Sequence, residues 1–178
     1  GIALRRQGRH DDALSQAEQA QDLYRAAGHR AGEAGALNNV AFYQLCLGKY
    51  QQARTRCQQA LTAFVKIDDQ YGAAVASDSL GYAYYHLGLH AQAIACCQDA
   101  LSAFREHGDQ AGQADALFHL GDAYYASQDT QAAYHAWRAA LNIFTDLRHP
   151  DAHCVRARLQ DLDGTQSRPP GKAGDLDP

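Results

Sequence analysis

The sequence has no methionine, one tryptophan and four prolines, and nowhere does it hold a long apolar run. No segment approaches the roughly 18 apolar residues that cross a bilayer, and the first residues lack the charged-then-apolar pattern of a secretory signal. It also lacks a basic patch. Its 20 acidic and 16 basic residues are spread along the chain and leave a formal net charge of -4, which argues against direct contact with nucleic acid or anionic lipid. The five cysteines, Cys46, Cys57, Cys96, Cys97 and Cys154, are odd in number and show no CxxC spacing. They fit reduced, packed thiols and a cytoplasmic setting better than a disulfide frame. Nucleotide, hydrolase and metalloprotease signatures (GxxxxGK[ST], GxGxxG, GxSxG, HExxH) are absent, so no enzymatic activity, cofactor or metal is expected. Because the chain opens on Gly1 and lacks methionine, it reads as a piece of a longer protein.

What the chain does have is 46% hydrophobic residues over 178 positions, enough for one domain with a core, and a repeat. Residues 41 to 80 match residues 81 to 120 at 16 of 40 positions without a gap. The same columns run through the chain: Gly8, Gly48 and Gly88; Ala13, Ala53, Ala93 and Ala133; Ala20, Ala60, Ala100 and Ala140; Tyr24, Phe64, Phe104 and Phe144. Gln128 alone interrupts the glycine column.

Within each unit apolar residues recur at helical spacing in two stripes, so each unit is two amphipathic helices. The first helix should break at Leu47-Gly48, Leu87-Gly88 or Ser127-Gln128, and the second near Asp68 or Gly108. Asp69 and Asp109 are the expected N-caps, with His29 and His149 in the same column. Gly1 shares the column of Ala41, Gly81 and Gly121, so the chain should begin halfway through a first helix, with at least one further helix upstream. Pro150 should start a last, capping helix over 150–162. The proline-rich end, 164–178, reads as a flexible tail. A lone helix pair cannot bury both stripes, so neighbouring pairs must stack into a continuous core.

The pattern resembles the tetratricopeptide repeat in a 40-residue form, with the family signature appearing as Leu117, Leu120-Gly121, Tyr124, Ala133, Trp137 and Ala140-Leu141. The departures are Ala17, Cys57 and Cys97 in the column of Trp137, Ser77 for a leucine and Gln44 for a tyrosine. The resemblance implies an all-α, right-handed superhelical solenoid of about 3.5 repeats plus a C-terminal helix. It forms one domain over 1–163, with repeat boundaries near 28, 68 and 108. It further implies that the first helix of each pair lines a concave groove. Its columns here hold Asn38, Asn39, Phe42, Leu45 and Cys46; then Val75, Asp78, Ser79, Tyr82, Tyr85 and His86; then Asp115, Phe118, His119, Asp122 and Tyr125. Aromatic rings with interspersed polar groups suit an extended or helical peptide. None of these positions is basic, which disfavours capture of an acidic C-terminal tail.

Runs such as "SLGYAYYHLGLHAQAIACCQDAL" and "ALFHLGDAYYASQDTQAAYHAWRAAL" also resemble the C-terminal repeats of SARP-type bacterial antibiotic regulatory proteins. That resemblance implies a sensor or regulatory arm, binding a peptide or another domain of its own parent protein, whose DNA and nucleotide sites lie elsewhere. Two other readings stand beside it: a scaffold for homo-oligomers, and a small-molecule sensor with Tyr82, Tyr85, His86 and His119 around a pocket. The adjacent Cys96 and Cys97 point about 100° apart on a helix, which leaves them as packing residues. His149, His153 and Cys154 have no fourth ligand nearby for zinc.

Overall fold

The computed structural model describes the backbone of residues 2–166 and the side chains of residues 9–162. These residues form eight helices and no strands: α1 (Ile2–Ala26), α2 (Arg30–Cys46), α3 (Tyr50–Lys66), α4 (Gln70–His86), α5 (His90–Glu106), α6 (Gln110–Ala126), α7 (Thr130–Asp146) and α8 (Ala152–Gln166). Each helix packs antiparallel to the next, and among the even-numbered helices α4 also touches both α2 and α6. The odd-numbered helices are splayed farther apart. That asymmetry places the even-numbered helices on the inner side of a solenoid.

The turns share one design. At each turn one residue adopts the left-handed conformation: Gly28, Gly48, Asp68, Gly88, Gly108, Gln128 and Arg148, with φ between 52° and 75°. The next residue's N–H then closes back on the carbonyl five residues earlier, as in Lys49 to Gln44 (2.8 Å) and His149 to Phe144 (2.8 Å). This satisfies helix-end carbonyls that would otherwise be orphaned. The interruption at Gln128 therefore changes the residue and leaves the turn intact. Asp69, Asp109 and His29 act as the expected N-caps, their side chains accepting from the backbone N–H of Gly72, Gly112 and Gly32. Asp129 does the same for Ala132.

Two expectations require correction. The first helix that the chain was expected to enter halfway is not separate from the one after it: α1 runs unbroken from Ile2 to Ala26, through Gly8. The last helix starts at Ala152 instead of Pro150 and runs to Gln166 instead of ending near residue 162. Its end lies one repeat length beyond Ala126, so α8 follows the register of α2, α4 and α6. Residues 164–166 of the expected tail belong to this helix, and residues 167–178 lie outside the described residues.

The small columns are the tightest part of the core. Ala53, Ala93, Ala133, Ala60, Ala100 and Ala140 have no exposed surface, and Phe64, Phe104 and Phe144 fill the space beside them. Cys57 and Cys97 are fully buried, and burial pushes the Cys57 thiol up to about 12 and that of Cys97 upward too. They stay protonated and behave as small core residues. Ser77, in a leucine column, donates its hydroxyl to the Cys96 carbonyl (3.1 Å). Tyr84 and Tyr124 are half-buried, and their hydroxyls bond Gln58 (3.0 Å) and Gln98 (2.9 Å), the same pairing one repeat apart.

Candidate functional site: the inner groove

Spacings of three, four and seven residues put the candidate positions on one face of each inner helix. Between these faces lies a cleft of about 680 Å³. Helix α2 contributes Phe42, Leu45 and Cys46; α4 contributes Val75, Asp78, Ser79 and Tyr82; α6 contributes Asp115 and His119. Of the candidate columns, then, Phe42, Leu45, Cys46, Val75, Asp78, Ser79, Tyr82, Asp115 and His119 meet at the cleft.

At its centre His119 Nδ1 donates to the carboxylate of Asp78, 3.1 Å from Oδ1 and 3.2 Å from Oδ2. The ring of Tyr82 lies 4.7 Å from that of His119. Burial alone would push His119 down. The carboxylates of Asp78, Asp115 and Asp122 outweigh it and hold His119 above its ordinary value. Asp115 is pushed up to about 6 by burial, with His119 pulling it back. Burial raises Tyr82 to about 12, so its hydroxyl keeps a proton to donate.

The remaining candidates fall around this centre. His86 stacks on Tyr50 of α3 (4.2 Å, 2° between planes) and meets Tyr82 and Tyr85 edge-on at 4.5 and 4.9 Å. Burial lowers its pKa, so it sits in this cluster as a neutral ring. Asn39 is exposed, and Asn38 is half-buried with its Oδ1 lacking a hydrogen-bond partner. Phe118 packs against the core. Tyr125 is exposed, its ring 5.5 Å from that of Trp137.

Asp122 is not an open groove residue. It is buried, and its Oδ1 accepts from Trp137 Nε1 (3.2 Å) and from Arg158 Nε (3.1 Å), while Arg158 Nη2 reaches Oδ2 at 3.4 Å. Arg158 comes from α8, a helix to which no groove role was assigned. Burial raises the pKa of Asp122 even against this arginine. The rim holds further residues that the columns did not flag: Tyr50, Tyr71, Phe104, Asp109 and Asp151. Tyr71 donates its hydroxyl to Asp109 Oδ2 at 3.0 Å. The signal for Tyr71 and Asp109 was their place at helix starts facing the next repeat, visible only once neighbouring units are stacked.

An array of equivalent helix pairs whose inner helices line a shared cleft is the design of a helical-repeat interaction scaffold. The chain belongs to the tetratricopeptide repeat family, whose profile matches residues 1–66 and 71–146. Such repeats generally mediate protein–protein interaction and are typically non-enzymatic. Among solved structures, the fold is similar to the crystal structure of BtubC (BKLC) from P. vanneervenii, with a TM-score of 0.59 and 13% identity over 99% of this chain and 98% of that one. No curated protein matches the sequence. Among the described residues no helix is long and apolar enough to cross a membrane.

Proposed function

We propose that the chain is a protein–protein interaction module that holds a peptide segment or a partner domain in the cleft between α2, α4 and α6, working in the cytoplasm. The observation that carries this reading is the cleft itself. About 680 Å³ of space is walled by Phe42 and Tyr82, with Asp78, Ser79 and His119 between the apolar surfaces. Rings supply contact area at little entropic cost, and the polar groups between them can fix a bound backbone. The similarity of its runs to the repeats of SARP-type regulators supports a narrower form, in which the module is the regulatory arm of a larger bacterial transcriptional regulator. Its partner would then be another domain of the parent chain.

The test is site-specific photocrosslinking in the native host, with a benzophenone amino acid in place of Phe42 or Tyr82, and in place of Val65 on α3 as control. Adducts with protein from the two groove positions and none from Val65 are expected. Equal labelling at all three, or none in the groove, would remove the groove as the site. An adduct to a DNA-binding or nucleotide-binding region of the same chain would establish the regulatory arm, and adducts only to separate proteins would exclude it.

A further inference from the structure

Charge is distributed unevenly around the cleft. Acidic residues exceed basic ones only 20 to 16 over the whole chain, yet the lining carries four carboxylates, Asp78, Asp109, Asp115 and Asp151, and neither a lysine nor an arginine. Three of the four have local partners of modest strength. Asp109 accepts from the Gly112 N–H (3.0 Å) and the Tyr71 hydroxyl (3.0 Å), Asp78 from His119 (3.1 Å), and Asp151 lies 3.7 Å from His149. Asp115 is half-buried and accepts no hydrogen bond from the described residues. A half-buried carboxylate with no hydrogen-bond partner is poorly solvated, a cost that a bound cation would reduce.

The shape of the space selects the kind of cation. No three histidine, cysteine or carboxylate side chains among the described residues converge closely enough to hold a metal ion. The carboxylates are spread along a cleft whose wall also carries five aromatic rings, Phe42 and Tyr82 among them. A planar, delocalised guanidinium can stack on a ring face while its edge offers paired N–H donors to two carboxylates, a better fit than a compact, strongly hydrated ammonium.

Resting on the reading of the cleft as the partner groove, we propose that the bound segment carries an arginine, whose guanidinium sits against the aromatic wall and pairs with Asp115 and Asp78. The partner is therefore a basic peptide segment, opposite in charge to the acidic tails that this groove disfavours.

The experiment pans a phage-displayed library of random dodecapeptides against the immobilised full chain, then synthesises the most enriched peptide. Enriched sequences are expected to share an arginine beside an apolar residue. Replacing that arginine by citrulline, neutral but of the same shape, should weaken binding about ten- to a hundred-fold, the range for a lost charge-assisted hydrogen bond. Lysine should weaken it less. Asp115→Asn should weaken the arginine peptide to a similar degree and leave the citrulline peptide unchanged. If circular dichroism shows that Asp115→Asn is misfolded, Asp78→Asn, the other assigned partner, takes its place. Enriched peptides without a basic residue whose binding is still lost in Tyr82→Ala would overturn the arginine while leaving the groove in place. No enrichment, or binding that ignores Tyr82→Ala, would overturn the groove itself.

Discussion

The indole of Trp137 fills the space that a side chain at position 121 would need: a Cβ on Gly121 would lie 2.3 Å from Trp137 Cδ1. The equivalent pair one repeat earlier is Gly81 with Cys97, and the one before that combines Ala41 with Cys57, both fully buried. Size on the inner helix trades against size on the outer one. Gly121→Ala should therefore destabilise by about 1–3 kcal/mol through overpacking. In the double variant Gly121→Ala with Trp137→Cys, the loss in urea denaturation should be smaller than the sum of the single losses. Strict additivity would show that the two residues do not compete for space.

Asp122 depends on Arg158. Removing the guanidinium by Arg158→Ala leaves a carboxylate that is only 7% exposed with Trp137 as its remaining donor. Because Arg158 itself is 48% exposed, solvent screening limits the loss to about 1–2 kcal/mol in chemical denaturation. Arg158→Lys should recover only part of it, since one ammonium does not reproduce the two contacts to Oδ1 and Oδ2.

Stability should fall as pH rises through neutrality. Asp115 and His119 both have folded values above their ordinary ones, so each binds its proton more tightly when folded. Their contribution is complete below the ordinary values of 3.8 and 6.5. It is lost as pH rises to about 6 for Asp115, and through a value above 6.5 for His119. The charged groups acting on Asp115 are His119, Asp78, His149 and Asp151. Asp115 and His119 should therefore make thermal midpoints decline from about pH 5 to about pH 8, with His86, lowered by burial, working the other way over the lower part of that range. Asp115→Asn should flatten the lower half of that slope and His119→Gln the upper half. A slope that neither variant changes would assign it to other groups.

The turns offer a stabilising substitution. Gln128 holds φ 66° where the equivalent turns of the earlier repeats use Gly48 and Gly88. A side chain in this conformation costs about 1–2 kcal/mol. Gln128→Gly should recover part of that, about 0.5–1 kcal/mol, and raise the melting temperature, whereas Gly88→Ala should lower stability by about 1 kcal/mol. Equal stabilities would mean that the side chain of Gln128 offsets its own strain.

The repeat was legible because packing within a unit obeys a period. The alanine columns, the aromatic column of Phe64, Phe104 and Phe144, and the Asp69 and Asp109 caps all recur at fixed distances in the chain. Phe42, Tyr82 and His119 could be placed in the groove by the same rule. What the columns could not supply were pairings across units. Asp122 looked like a groove residue because its column also holds Phe42 and Tyr82, but Arg158, from a helix two elements later, claims it. Tyr50 and Tyr71 escaped notice, and Asp109 was read only as a cap, because they sit at helix starts and reach the cleft only when the next pair stacks. Gly8 lies inside α1, so a glycine in the turn column does not by itself make a turn.

The left-handed residues fall at every twentieth position from Gly28 to Arg148, half the sequence repeat. Length in this molecule is therefore counted in quanta. Inserting 40 residues at a turn would add one strip of inner surface and leave everything downstream facing as before. Inserting 20 would keep every turn sound and every helix the same length, yet exchange inner for outer helices beyond the insertion and turn the binding columns inside out. A gene for this chain can grow by duplication, then, only in steps of the longer unit.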